Sequence, residues 1–164
     1  MTLVIGRQAP LFFALAILAI ALFAIGGALV FERLGYAPCE LCLKERIPYY
    51  AALPFAGLAA VFAARGQSGA RRAAFAALAL IFVLSAIFGA YHAGVEWGFW
   101  QGPSECSGTL ARAHSAEEFL AQLQGAKAVR CDAPALRILG LSLAAWNAVI
   151  SAVLAALAIK GTRR

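Results

Sequence analysis

The sequence predicts an all-α membrane protein, a bundle of four transmembrane helices with both termini in the cytoplasm. Three observations carry that expectation. The chain is 63% hydrophobic and 13% charged, where a soluble domain is about a quarter charged. Its mean hydropathy is +0.80. Four stretches contain no Asp, Glu, Lys or Arg: Leu11–Phe31, Ile47–Ala64, Ala73–Val95 and Ile138–Ile159. Each is near the roughly 20 residues that cross a bilayer as a helix. So short a chain, 164 residues, reads as a single membrane domain over 1–164.

Lipid satisfies no open backbone groups, and runs this long and uniformly apolar do not suit barrel strands, so all four are expected to be helices. The first run follows Arg7, as a secretion signal would. Its 21 residues exceed the usual signal core of about 7–15, and no small-x-small cleavage site precedes Glu32, so it reads as a retained anchor. The second is the shortest and contains Pro48 and Pro54. Pro48 is expected near the first turn, where its missing N–H costs little, and Pro54 is expected to kink the span. The third ends in Tyr91, His92, Glu96, Trp97, Phe99 and Trp100, an aromatic belt at the membrane boundary. Asn147 in the fourth suits an interhelical hydrogen bond, and Gly26, Gly27, Gly57, Ala76, Ala77 and Ala155 let helices approach closely.

Charge placement sets the orientation. The N-terminal tail, the loop between the second and third spans and the C-terminal tail hold seven basic residues and no acids. They are Arg7, Arg65, Arg71, Arg72, Lys160, Arg163 and Arg164. The other two segments, 32–46 and 96–137, hold seven basic residues and all eight acids. The positive-inside rule puts the first set in the cytoplasm and the two longer loops on the outer side. The formal net charge of +6 therefore reflects topology. No basic patch interleaved with aromatics supports nucleic-acid binding.

All four cysteines fall in the outer segments: Cys39 and Cys42 in the first, Cys106 and Cys131 in the second. In a bacterium the outer side would be the periplasm, which supports disulfides. Cys39-Glu40-Leu41-Cys42 has the spacing of a thiol oxidoreductase, a zinc knuckle or a structural staple. The 24 residues between Cys106 and Cys131 fit a four-cysteine zinc site poorly. Cys42 precedes the second span, where a helix N-terminus and a cation stabilise a thiolate. Arg46 lies one turn on, either as that cation or as an interfacial anchor for the span. Cys106 and Cys131 can close a large loop, and four cysteines allow three pairings. Within the loop, Ser115-Ala116-Glu117-Glu118 reads as a capping box. It would open a short interfacial helix over Ser115–Gln124, with Phe119, Leu120 and Leu123 on one face. The Gly/Pro/Ser-rich run around Cys106 suits docking into a groove on a partner. His92 lies in a span, close to the level of Cys42.

The run Cys39-Glu40-Leu41-Cys42-Leu43-Lys44-Glu45-Arg46-Ile47-Pro48 resembles the signature of the DsbB family, disulfide-bond formation proteins of the bacterial inner membrane. Tyr91-His92-Ala93-Gly94-Val95-Glu96-Trp97 and Cys131-Asp132-Ala133-Pro134 look like one branch of it. The resemblance covers nearly the whole chain. It implies a thiol:quinone oxidoreductase that reoxidises a periplasmic DsbA-like thiol oxidase and sustains disulfide formation in exported proteins. The electrons would pass to ubiquinone or menaquinone in the membrane.

Residue by residue, the resemblance implies that Cys106 takes the attack of the partner thiolate and that Cys131 is its mate in the resting loop disulfide. Cys39 would receive electrons from the loop by exchange with Cys106, and Cys42 would be the thiolate facing the quinone. Arg46 would bind and polarise a quinone carbonyl, and His92 would line the quinone site. No metal is expected. The expected partners are the thiol oxidase, the quinone pool and the bilayer.

Two other readings compete. A disulfide-stapled scaffold or small transporter without redox activity would need no quinone, and a transporter would favour intramembrane acids or bases beyond His92. The vitamin K epoxide reductase type has similar chemistry, but its active Cys-x-x-Cys lies near the end of its chain.

Overall fold

The computed structural model describes residues 2–103, 115–117 and 130–163. Four long helices account for most of them: α1 (Thr2–Arg33), α2 (Glu40–Ala64), α3 (Ser68–Glu96) and α4 (Leu143–Arg163). Each is long and apolar enough to cross a membrane, over Gln8–Arg33, Glu40–Ala64, Ser68–Glu96 and Leu143–Arg163. The all-α, four-span expectation holds. Cys106 and most of the expected interfacial helix at Ser115–Gln124 lie outside the described residues.

Each helix packs on its neighbours in sequence, and α1 also meets α4, so the four close into a ring. Small side chains set the spacing. Ala14, Ala21, Ala52, Ala56, Ala59, Ala155 and Ala158 are buried together with Ile17, Phe75, Leu78, Phe82 and Leu154. Gly89 marks the closest approach of α3 to α4, since a Cβ there would lie 2.9 Å from the backbone nitrogen of Ala148. A polar layer crosses the bundle. The Tyr49 hydroxyl donates to Asn147 Oδ1 at 2.7 Å, and Ser151 Oγ lies 3.0 Å from Tyr49 and 2.9 Å from Ser85 Oγ. Asn147 is thus the interhelical link its sequence position suggested. The outer surface is apolar, with Phe12, Phe23, Leu80, Leu84, Ile87 and Val153 all exposed. On a soluble protein so continuous a greasy surface would be an aggregation site; here it faces lipid.

Every helix extends past its charge-free run at one end or both, and two of the differences bear on the site. The second helix starts at Glu40 rather than near Ile47, so the first loop shrinks to six residues, 34–39. Cys39 caps the helix in an extended conformation, Glu40 sits in the first turn, and a Glu40–Lys44 ion pair of 3.5 Å bridges the next. The polar run 40–46 therefore has its own helical support. Pro48 consequently lies well inside α2, as Pro54 does, and not in its first turn.

The fourth helix starts at Leu143 rather than Ile138. Before it stands a small hairpin of β1 (Arg137–Ile138) and β2 (Leu141–Ser142), antiparallel, with Arg137 opposite Ser142. Its two-residue turn needs positive φ at both positions, and Leu139 has φ 53° and Gly140 φ 84°. Ser142 then caps α4, its Oγ accepting from the Ala145 amide at 3.2 Å. The Trp146 indole donates to the Ile138 carbonyl at 2.9 Å and ties the hairpin to the helix.

Candidate functional site

The start of α2 and the end of α3 meet at one end of the bundle, and the redox-capable residues gather there. Cys39 and Cys42 form a disulfide, with Cα atoms 5.0 Å apart. Cys39 is buried and Cys42 is half-buried. The Cys42 amide donates to Cys39 Sγ at 3.1 Å. The capping amide of the helix therefore serves the sulfur of Cys39, where the sequence suggested that Cys42 would gain from the helix N-terminus. Cys131, itself disulfide-bonded, is buried in the same cluster as Cys39, Leu41 and Val95, with Cys42, Phe88 and Tyr91 against it.

His92 is only 1% exposed. Its Nε2 lies 3.6 Å from Cys39 Sγ and its Nδ1 lies 2.9 Å from Glu45 Oε1. The ring thus links a buried carboxyl to a disulfide sulfur. The sequence singled out His92 as lining a quinone site; the structure places it against Cys39 and in the wall of the adjoining cavity. Glu45 was missed because it sits in a charged run ahead of the apolar span. Its signal lay in helix periodicity: Leu41, Glu45, Tyr49, Ala52, Ala56 and Ala59 form the buried stripe of α2. Glu45 is therefore the member of the charged run 44–46 that falls on the buried stripe.

Arg46 is neither free nor remote. Its Nη1 donates to Glu32 Oε2 at 2.7 Å and ties α2 to the end of α1. Arg46, Cys42, Cys39, Glu45, His92 and Cys131 all line one cavity of about 330 Å³. Most of its remaining wall is apolar, including Phe23, Phe31, Ala144 and Ile150. Two buried polar atoms on cavity-lining residues have no hydrogen-bond partner among the described residues, Asn147 Nδ2 and Glu96 Oε2. The Asn147 amide faces the Glu45 carboxyl, and its Nδ2 is without a hydrogen-bond partner among the described residues. An unpaired buried donor is costly and marks a place for an acceptor. The cavity therefore suits a mostly apolar molecule carrying carbonyl oxygens, and a quinone fits that description.

The end of α3 carries an aromatic cluster. Tyr91 and Trp100 stack with ring centroids 5.8 Å apart, and the Trp100 indole donates to the Tyr91 carbonyl at 2.9 Å. Gly94 permits this, since a Cβ there would run into the Trp100 ring. At the mouth, the Arg130 guanidinium beside Asp132 holds its carboxyl below the usual carboxylate range. Among the described residues the structure brings Cys39, Cys42, Cys131, Arg46 and His92 together.

Comparison with known proteins points the same way. The sequence model of the family "Disulfide bond formation protein DsbB" matches residues 10–160. A curated protein of Rickettsia prowazekii (strain Madrid E), "Uncharacterized protein RP370", is 28% identical over 145 residues, spanning 84% of this chain and 78% of its own length. No solved structure matches the chain.

Proposed function

Because the chain belongs to the DsbB family of membrane-embedded disulfide-bond formation proteins, we propose that it is a thiol:quinone oxidoreductase. It reoxidises a DsbA-like periplasmic thiol oxidase and delivers the electrons to ubiquinone or menaquinone in the inner membrane. The termini lie in the cytoplasm and the cysteines face the periplasm, an orientation supported by the seven basic residues of the inner segments. The observation that carries the reading is the joining of a disulfide, a buried histidine and an apolar cavity at one end of the bundle.

The proposed exchange balances at each sulfur. The partner thiolate attacks Cys106 and breaks the resting Cys106–Cys131 disulfide, leaving the electron pair on Cys131. Cys131 attacks Cys39, and the pair leaves on Cys42. Burial of Cys131 in the cluster with Cys39 supports this step. The partner's second thiolate then resolves the mixed disulfide and frees Cys106. Cys106 attacks Cys131 and restores the loop disulfide, leaving Cys39 and Cys42 as a dithiol. The partner has lost two electrons and two protons, and the α2 pair holds them.

The protein then presents that pair to the cavity. The quinone supplies a sink for two electrons and two protons. Arg46 and the orphan Asn147 amide would hold its carbonyl oxygens, and the apolar wall would exclude water. Glu45 accepts from His92 Nδ1–H and fixes the tautomer, leaving Nε2 to take the proton from Cys39. Cys42 lines the cavity.

This division of labour is testable at the buried pair. His92→Ala is expected to slow dithiol-to-quinone transfer about 10²-fold, the usual scale for losing a general base. Glu45→Gln is expected to cost less, about tenfold, the scale of losing a group that orients a histidine. The double variant should be no slower than His92→Ala alone, because Glu45 acts through the ring. Stopped-flow measurement of quinone absorbance reads all three. Multiplying effects in the double variant would show that the two residues act independently.

A further inference from the structure

We propose that the reduced form of this site binds one thiophilic divalent cation of the zinc and cadmium class, held by Cys39 Sγ, Cys42 Sγ and His92 Nε2. The three ligand atoms already lie within 4.8 Å of one another. Zinc takes sulfur at about 2.3 Å and nitrogen at about 2.0 Å, which places tetrahedral ligand atoms roughly 3.5–4 Å apart. The Cys39 Sγ to His92 Nε2 distance of 3.6 Å matches that spacing.

The surroundings are those of a metal ligand set. His92 turns Nε2 to the sulfurs while Nδ1 meets a carboxyl at 2.9 Å, the outer contact that orients most metal-bound histidines. The Cys42 amide on Cys39 Sγ at 3.1 Å is a donor suited to a thiolate. The fourth position opens on the cavity, which Glu96 also lines with an unpartnered buried oxygen. Two thiolates neutralise the dication, so the bound unit places no net charge in a largely apolar pocket. Thiolate and imidazole ligands select zinc or cadmium over magnesium or calcium.

The site exists only after the disulfide opens. Two electrons and two protons convert Cys39–Cys42 to the dithiol, and the cation then displaces the two thiol protons. The proposal rests on the functional reading above only for the protein dithiol that supplies those electrons. Occupation ties up both sulfurs and holds the protein in its reduced form. The cation would therefore act as a redox-gated inhibitor that captures turning-over molecules and spares resting ones.

The test uses the full-length protein in detergent, freed of quinone and reduced with a phosphine. Cd²⁺ is added anaerobically while the thiolate-to-metal charge-transfer absorbance is followed, with Mg²⁺ as the control cation. One equivalent per chain is expected for the reduced protein and none for the oxidised protein, with release on reoxidation. His92→Ala should weaken binding at least tenfold, and a Cys106→Ser/Cys131→Ser double variant should bind as the parent does. If His92→Ala fails to fold, Cys42→Ser must show the same loss. Binding by the oxidised protein, no binding by the reduced one, or full affinity in both His92→Ala and Cys42→Ser overturns the proposal. Dithiol-to-quinone transfer by the cation-free protein is measured in parallel. Transfer without cadmium binding defeats the cation site alone. Cadmium binding without transfer defeats the functional reading and leaves the site.

Discussion

Cys42→Ser is expected to lower quinone reduction by on the order of 10³-fold or more, the scale of losing a covalent nucleophile. The reason is structural as well as chemical. Cys42 is the half-buried member of the α2 pair and lines the apolar cavity with Arg46. A serine cannot form the disulfide, and its hydroxyl is not ionised where a thiolate would be. Cys39 would remain, capped by the helix amide and facing His92, but with no disulfide partner on α2. The partner oxidase could still attack the loop disulfide, but the freed thiolate would find no disulfide to open. Partner oxidation should stop after one exchange. The variant should still insert and fold, since the helix cap and the core do not depend on Cys42 Sγ. Undiminished partner oxidation in this variant would remove Cys42 from the mechanism.

Cys106→Ser should separate the two ends of the relay. Reoxidation of the protein partner is expected to fall by at least about 10³-fold, again the scale of a lost nucleophilic centre. A small dithiol that attacks the half-buried Cys42 would bypass the loop, so its electrons should still arrive at the quinone. The comparison needs both donors on one preparation, with quinone absorbance as the common readout. Equal loss with both donors would mean that Cys106 supports the fold or the cavity rather than docking the partner. Equal retention would place the partner's attack elsewhere.

The spans were legible because nothing else explains four long runs free of charge, and all four are helices. Their ends were less so. Hydropathy marks where charge begins, but a helix continues through polar turns when local contacts support it. Glu40–Arg46 did so behind the Cys39 cap and the Glu40–Lys44 pair. The reverse happened at 138–142. Ile138, Leu139 and Leu141 look like the start of a span, but Gly140 and the capping Ser142 turn them into a hairpin. Gly140 followed two residues later by a serine was the available cue.

The candidate site divided in the same way. Cysteine spacing and position were readable directly, and Arg46 was readable by its one-turn offset from Cys42. The Glu45–His92–Cys39 contact was not, because it joins residues 47 and 53 positions apart and depends on how α2 packs on α3. Asn147 reads as bundle packing from sequence, and its Oδ1 does pack the bundle. Only the structure shows that its Nδ2 is left without a partner in the wall of the cavity.

The most direct measurement is an anaerobic titration of the purified, quinone-loaded protein with the reduced thiol oxidase, following quinone absorbance. The account predicts that one quinone is reduced for each partner dithiol oxidised, with both cysteine pairs of this chain returned to disulfides at the end. Oxidation of the partner with no change in quinone absorbance, or all four cysteines remaining oxidised and the partner reduced throughout, would contradict it.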